Sequence, residues 1–331
     1  MKVAVVGAGS WGTALAIQSA RVGHSVQLWD HLPERAARMQ RSRENSRYLP
    51  GCTFPDSLAV EGDVAVALAG AEVVIEAVPS VGLREVLPAL RAHVAPGVVV
   101  LCATKGIEVD SLFTMDQILE EGLAPGQPLA ALGGPSFAKE VAQGMPTAVV
   151  IASRHHGAAQ TAAEALHGGF FRVYDTDDVV GVELGAALKN VIAVACGVSD
   201  GAGLGTNARA ALITRGLSEI SRLASSRGAN PLTLMGLAGL GDLVLTCTGD
   251  LSRNRRVGLG LGRGKTLDEV LAELGQVAEG VVTARSAWQL AQREGVDMPI
   301  SEQVYRMLYE TKPVYEVLRD LAGRGRRSER G

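Results

Sequence analysis

The sequence predicts an α/β chain: a doubly wound parallel sheet at the N-terminus, followed by an all-α C-terminal domain. Three observations carry this expectation. Short apolar runs alternate with helical stretches through the first half. Those runs are apolar on both faces, the pattern of strands covered on both sides. After about Asp178 the strand signals stop and only helical periodicity continues.

In chain order, residues 3–6 read as the first strand and 13–22 as a helix rich in Ala and Leu. Residues 25–29 form the second strand, followed by a polar helix over 33–41. The next strands are 73–78, 98–102 and 129–132, with further ones at 147–152 and 170–174. In the second half, 182–198 is a long apolar helix, and 208–227, 266–274, 281–294 and 300–309 are also helical. This divides the chain into a dinucleotide-binding domain over 1–178 and a helical substrate domain over 179–322. An arginine-rich stretch, 323–331, is expected to be a flexible tail. A length of 331 residues suits two domains of roughly 100–200 residues each.

Composition narrows the function. Apolar residues make up 47% and charged residues 20%, so the chain can bury a large core and is not disordered. A net charge of −3 gives no electrostatic reason to bind nucleic acid or an anionic membrane. The four cysteines (Cys52, Cys102, Cys196 and Cys247) are widely spaced, which argues against a zinc site or a disulfide framework. A reducing cytoplasm is the expected location, and no metal is expected. No apolar run is read as approaching the roughly 18–20 residues of a membrane span, so membrane insertion is not expected.

Gly7-Ala8-Gly9-Ser10-Trp11-Gly12 fits GxGxxG between a predicted strand and a predicted helix, the context a Rossmann-type dinucleotide site needs. Gly7 permits the tight turn, Gly9 lets a pyrophosphate approach the backbone, and Gly12 lets the helix pack on the strand. Ser10 and Trp11 stand at the helix N-terminus, where free N–H groups suit phosphates. Asp30 ends the second strand, where a carboxylate accepts hydrogen bonds from the adenosine ribose and favours NAD. His31 and Arg35 follow, and either could meet the 2′-phosphate of NADP, so the expected cofactor is NAD(H) or NADP(H). Pro79 and Lys105 follow the third and fourth predicted strands, at the carboxyl edge where open α/β sheets bind ligands. Gly133-Gly134-Pro135-Ser136-Phe137-Ala138 follows the fifth.

The helical half supplies chemistry. Lys189 and Asn190 interrupt an almost wholly apolar helix. A buried lysine needs a partner or a polar cavity, and Glu183 is one candidate partner. Desolvation and a neighbouring cation such as Lys105 lower a lysine's pKa, which suits a general base. Asp242 follows a glycine cluster and could orient a lysine or a substrate hydroxyl, with Thr246 close behind. Ser252-Arg253-Asn254 combines hydroxyl, guanidinium and amide donors that suit a phosphate monoester. The alternative for such an arginine run is a solvated surface.

Together these stretches resemble bacterial-type NAD(P)-dependent glycerol-3-phosphate dehydrogenases over nearly the whole chain. The matching stretches are GAGSWGTALA from Gly7, ATKGIE from Ala103, GGPSFAKE from Gly133 and ALKNVIAVACGVSDG from Ala187. GLAGLGDLVLTCT from Gly236 and SRNRR from Ser252 complete the set. The resemblance implies that Lys189 is the proton acceptor and that Lys105 contacts substrate and cofactor. It places Gly134, Ser136, Asp242, Ser252, Arg253 and Asn254 at the substrate, and Asn190 and Thr246 join them as candidates. It places Ala138, Val277 and Glu279 at the cofactor, with Pro79 and Arg253 added there. Some NADP-preferring relatives carry a small residue where this chain has Asp30. The implied partner is a small phosphate ester, with a homodimer left open. The implied product feeds phospholipid synthesis. Two rivals stand beside this reading. Another two-domain 3-hydroxy-acid dehydrogenase has no need of Arg253-Asn254, and a non-catalytic NADH sensor has no need of a buried Lys189.

Overall fold

The computed structural model describes residues 1–325; residues 326–331 of the expected tail lie outside the described residues. The first half runs β1 (Lys2–Val6), α1 (Ser10–Arg21), β2 (Ser25–Trp29), α2 (Pro33–Ser42) and β3 (Leu58–Glu61). It continues with α3 (Val64–Leu68), β4 (Val73–Glu76), α4 (Leu83–His93), β5 (Val99–Cys102) and α5 (Met115–Gly122). Then come β6 (Leu129–Gly133), α6 (Ala138–Ala142), β7 (Thr147–Ala152), α7 (Ala158–Glu164) and β8 (Phe171–Thr176).

The strands form one sheet in the order β3-β2-β1-β4-β5-β6-β7-β8. The strands on either side of β1 and β4 are parallel to them, but the winding order changes direction between this pair, so their carboxyl ends open a crevice. Along β1, Val3 and Val5 pack into one helical layer, while Ala4 and Val6 pack into the other. That two-sided burial explains why the strands read as continuous apolar runs. One expectation is corrected. The sheet is not wholly parallel, because β7 pairs antiparallel with β6, and β8 runs parallel to β7.

Beyond β8 every element among the described residues is helical: α8 (Val179–Gly201), α9 (Gly205–Ser226), α10 (Pro231–Met235), a π-helical turn (Leu237–Gly241) and α11 (Asp242–Thr248). These are followed by α12 (Arg253–Gly262), α13 (Leu267–Leu274), α14 (Glu279–Glu294), α15 (Pro299–Tyr309) and α16 (Val314–Ala322). Asp178 caps α8 by accepting from the Gly181 N–H at 2.9 Å. By length and composition α8 is apolar enough to cross a membrane, contrary to the expectation that no run came close. Its apolar window is 94% buried inside the protein, so it is a core helix here.

Glycines bring α12 into backbone contact with α8. Gly197 and Gly201 on α8 face Gly258 and Gly262 on α12, each pair spaced four residues apart. A Cβ at Gly258 would lie 2.0 Å from the Val194 carbonyl oxygen, and one at Gly197 would lie 2.1 Å from that of Arg255. Small residues at this spacing let two helices approach far more closely than the usual 8–10 Å axis separation. The contact fixes the start of α12, and with it Arg253 and Asn254, against the middle of α8.

Gly258→Ala is therefore expected to cost at least about 1–3 kcal/mol, the usual range for overpacking a filled core. Urea unfolding measures it. Gly82→Ala, where a Cβ meets nothing within 4 Å, is the control expected to show no loss.

Candidate active site

One cleft of about 420 Å³ lies between the carboxyl edge of the sheet and the helical half. That size is within the range of small-ligand sites. Gly9, Ser10 and Trp11 form one end, and Pro79, Lys105, Ser136 and Ala138 line the sheet side. Lys189, Asn190, Thr246, Ser252, Arg253 and Asn254 line the helical side, with Val277 and Glu279 at the margin. Residues predicted from eight separate stretches of sequence thus meet at one surface.

The glycine loop is built for an anion. Gly7 has φ +111°, and a Cβ there would lie 2.7 Å from the Ala77 carbonyl oxygen. A Cβ at Gly12 would lie 1.9 Å from the Gly7 carbonyl oxygen. These two glycines shape the turn and do not line the cleft. A Cβ at Gly9, by contrast, meets nothing within 4 Å, and no side chain caps α1. The first N–H groups of α1 therefore face open space beside the cleft, which fits a dinucleotide pyrophosphate. Trp11 is fixed by its Nε1–H, which donates to the Ala103 carbonyl at 3.1 Å. Asn45, fully buried, donates to the Ala8 carbonyl at 2.9 Å and braces the same loop.

Asp30 departs from expectation. Its side chain is completely buried and holds Arg35 Nε at 2.6 Å, and it also accepts from the Leu32 N–H at 2.9 Å. The carboxylate is committed to Arg35 and does not line the cleft, and Arg35 is in turn not free to seek a phosphate. His31 is two-thirds exposed and outside the cleft. Arg35 instead borders a small basic pocket with Arg38 and Arg47.

At the inner end of the cleft, one carboxylate holds two lysines. Lys105 Nζ donates to Asp242 Oδ2 at 2.9 Å, and Lys189 Nζ donates to Asp242 Oδ1. Glu183 is not the partner of Lys189; it accepts from the Met115 N–H at 3.1 Å, at the start of α5. Asp242 arrives through the glycine cluster. A Cβ at Gly185 of α8 would lie 2.7 Å from the Ala238 carbonyl oxygen, so only glycine lets the π-helical turn rest on α8. Such turns often mark functional sites. Burial pushes Lys189 down to about 7, assisted by the charge of Lys105 and opposed by Asp242. Burial would raise Asp242, but the two lysines outweigh it and hold the carboxylate below its usual range.

Other predicted residues have defined duties. Ser136 Oγ donates to the Gly134 carbonyl at 2.9 Å, which also lies 3.4 Å from Lys105 Nζ; Gly134 itself does not line the cleft. Thr246 Oγ1 donates to the Asp242 carbonyl at 2.6 Å. Ser252 caps α12 by accepting from the Arg255 N–H, which leaves its own hydroxyl hydrogen free to donate. Asn254 donates to Asn190 Oδ1 at 2.8 Å and accepts from the Gly280 N–H at 2.9 Å. Arg253 lines the cleft and, among the described residues, has no carboxylate at ion-pair distance; Glu279 is the acidic group that influences it. Arg255, by contrast, is bound to Asp200 at 2.7 Å and Asp250 at 3.0 Å. Glu279 accepts from the Ser80 hydroxyl, joining the two halves across the margin. Sequence reasoning missed Tyr48, Lys139 and Gln276, which also line the cleft. Tyr48 sits in an irregular segment with no periodic signal. Lys139 adjoins the GPSFA stretch, which could have exposed it.

A dinucleotide loop on a doubly wound sheet, facing a buried lysine on a helical half, defines a two-domain NAD(P)-dependent dehydrogenase. The chain belongs to the NAD-dependent glycerol-3-phosphate dehydrogenase family. The model of that family's N-terminal part matches residues 2–159, and the model of its C-terminal part matches residues 178–319. The chain is 56% identical, over 94% of both chains, to a glycerol-3-phosphate dehydrogenase (NAD(P)+) of Anaeromyxobacter sp. strain K. It is 53% identical to that of Geobacter metallireducens, over 100% of this chain and 99% of the relative. The crystal structure of glycerol-3-phosphate dehydrogenase from Coxiella burnetii superposes with a TM-score of 0.94 at 42% identity. That match covers 98% of this chain and 99% of the other.

Because Arg35 is nearly buried, Asp30→Ala is expected to destabilise the fold by about 3–5 kcal/mol, the cost of stranding one partner of a buried pair. Urea unfolding checks this. A variant of unchanged stability but altered NADPH/NADH preference would return Asp30 to the ribose.

Proposed function

We propose that the protein interconverts dihydroxyacetone phosphate and sn-glycerol 3-phosphate with NAD(H) or NADP(H). The observation that carries this reading is the shared Asp242 clamp on Lys105 and Lys189, with the unpaired Arg253 guanidinium on the same cleft. Glycine loop, proton source and anion receptor then serve one small phosphate ester. The functional division falls at residue 178, with 1–178 carrying the dinucleotide loop and 179–322 carrying the proton-transfer lysine and the phosphate receptor, while both line the shared cleft.

A bound nicotinamide supplies or accepts the hydride at carbon 2 of the substrate. In reduction, Lys189 donates a proton to the carbonyl oxygen as it gains negative charge. In oxidation, neutral Lys189 takes the proton from the carbon 2 hydroxyl. The balance is one carbonyl, one hydride and one proton for one secondary alcohol. Lys105 and Asp242 hold the amine in place and set its charge. Arg253, with the Ser252 hydroxyl and Asn254 beside it, receives the phosphate through a planar fork of donors. Gly9, Ser10 and Trp11 take the pyrophosphate, with Pro79, Ala138, Val277 and Glu279 around the remainder of the dinucleotide.

NADH and NADPH oxidation with dihydroxyacetone phosphate, against unphosphorylated dihydroxyacetone, tests the substrate class. Turnover with the phosphate ester alone is expected, and equal turnover on both would refute it. Lys189→Met should keep the fold but lose about two to four orders of magnitude in kcat, the usual span of general acid–base catalysis. In the parent, kcat/KM for oxidation should rise as pH passes about 7, where Lys189 loses its proton, and that for reduction should fall. Arg253→Ala should cost about ten- to 150-fold in kcat/KM for the phosphate ester, one charge-assisted hydrogen bond to a buried anion. Equal losses with dihydroxyacetone would make Arg253 structural.

A further inference from the structure

Glu76 ends β4 beneath the cleft and is completely buried. Among the described residues no lysine, arginine or histidine compensates it. The ionisable groups around it are Cys102 on β5 and Glu183 on α8, with Asp116 on α5 next to Glu183. Its Oε1 accepts from the Val78 N–H at 2.8 Å and lies 2.9 Å from Thr104 Oγ1. The same hydroxyl lies 2.5 Å from the Val78 carbonyl oxygen.

These distances contain a proton count. A threonine hydroxyl has one hydrogen. With that hydrogen on the Val78 carbonyl, the contact to Glu76 is a hydrogen bond only if the carboxyl carries a proton. An ionised Glu76 competes with the Val78 carbonyl for that hydrogen and weakens the 2.5 Å contact, whereas a protonated one donates to Thr104 and leaves it intact. Burial acts in the same direction and pushes this carboxyl up to about 7.

The network joins two loops that build the site. Val78 precedes Pro79, Thr104 precedes Lys105, and all four line the cleft. Ala77 meets the glycine loop at Gly7, and Ala103 receives the Trp11 indole hydrogen. We propose that Glu76 is a positioning residue whose protonated carboxyl ties the loops after β4 and β5 into the arrangement that binds the dinucleotide. This rests on the reading of the cleft as an NAD(P) site. Ionisation breaks the tie and places an unpaired anion beneath a site for an anionic ligand. Dinucleotide affinity therefore falls as Glu76 loses its proton.

The test is equilibrium binding of NADH, whose phosphates do not titrate between pH 6 and 9, read from nicotinamide fluorescence. The parent is expected to bind more weakly at pH 9 than at pH 6 by about tenfold, the worth of one buried hydrogen bond. Glu76→Gln stays neutral and still accepts from Val78, so it should bind like the parent at pH 6 and lose most of the pH dependence. Glu76→Leu should bind about tenfold more weakly at pH 6. Should that variant not fold, Thr104→Val, which cuts the same tie from β5, should show the same loss. A Glu76→Gln profile as steep as the parent's overturns the proposal, as does unchanged binding in Thr104→Val. A parent that binds no NADH at any pH overturns the dinucleotide reading itself, and the proposal with it.

Discussion

Two ammonium groups share one carboxylate at the inner end of the cleft, and the rest of the helical half is arranged to make that sharing hold. Lys189 lies on the most buried helix of the protein, where an unpaired charge would be prohibitive. Asp242 makes its burial tolerable but cannot satisfy Lys105 as well without leaving a surplus positive charge. Desolvation, assisted by that surplus, turns an ordinary lysine into one that exchanges a proton near neutrality. While Lys189 is protonated, the same surplus leaves the inner end of the cleft net positive, which suits a phosphorylated substrate.

Geometry in this region is set by glycine rather than by large side chains. Close backbone contact between α8 and α12 holds Asn254 near Asn190, and Gly280 allows the start of α14 to close over both. A Cβ at Gly280 would lie 2.7 Å from the Asn190 carbonyl oxygen. The result is a rigid floor from which Lys189, Asn190, Arg253 and Asn254 project. Rigid support of this kind keeps catalytic groups within the small tolerance that proton and hydride transfer require.

Much of this was legible in the sequence, for identifiable reasons. Strands buried on both faces appear as apolar runs, so β1, β2, β5 and β7 were readable. β3 was not, because Leu58–Glu61 lies at the edge of the sheet and is buried only at alternate residues, so it gives no continuous apolar run. The reversal at β7 was hidden because strand direction depends on how the connection folds. Lys189 stood out as a charge in an apolar helix, but its partner lies 53 residues away in sequence. The local candidate, Glu183, is six residues earlier and so points to a different face of the helix. Asp30 was correctly placed at a strand end, yet only the fold shows that Arg35 claims its carboxylate. The start of α12 read as either a phosphate receptor or a solvated arginine run, since its four-residue glycine spacing has meaning only against α8.

The most direct test of the shared-carboxylate account is titration of the Lys189 amine itself, followed by NMR of labelled lysine in the parent and in Asp242→Asn. The account predicts a midpoint near 7 in the parent. It predicts a lower one in the variant, where the attraction of the carboxylate is gone while burial and Lys105 remain. A midpoint near the ordinary lysine value of about 10.4 in the parent, or one that does not move when Asp242 is neutralised, would contradict it.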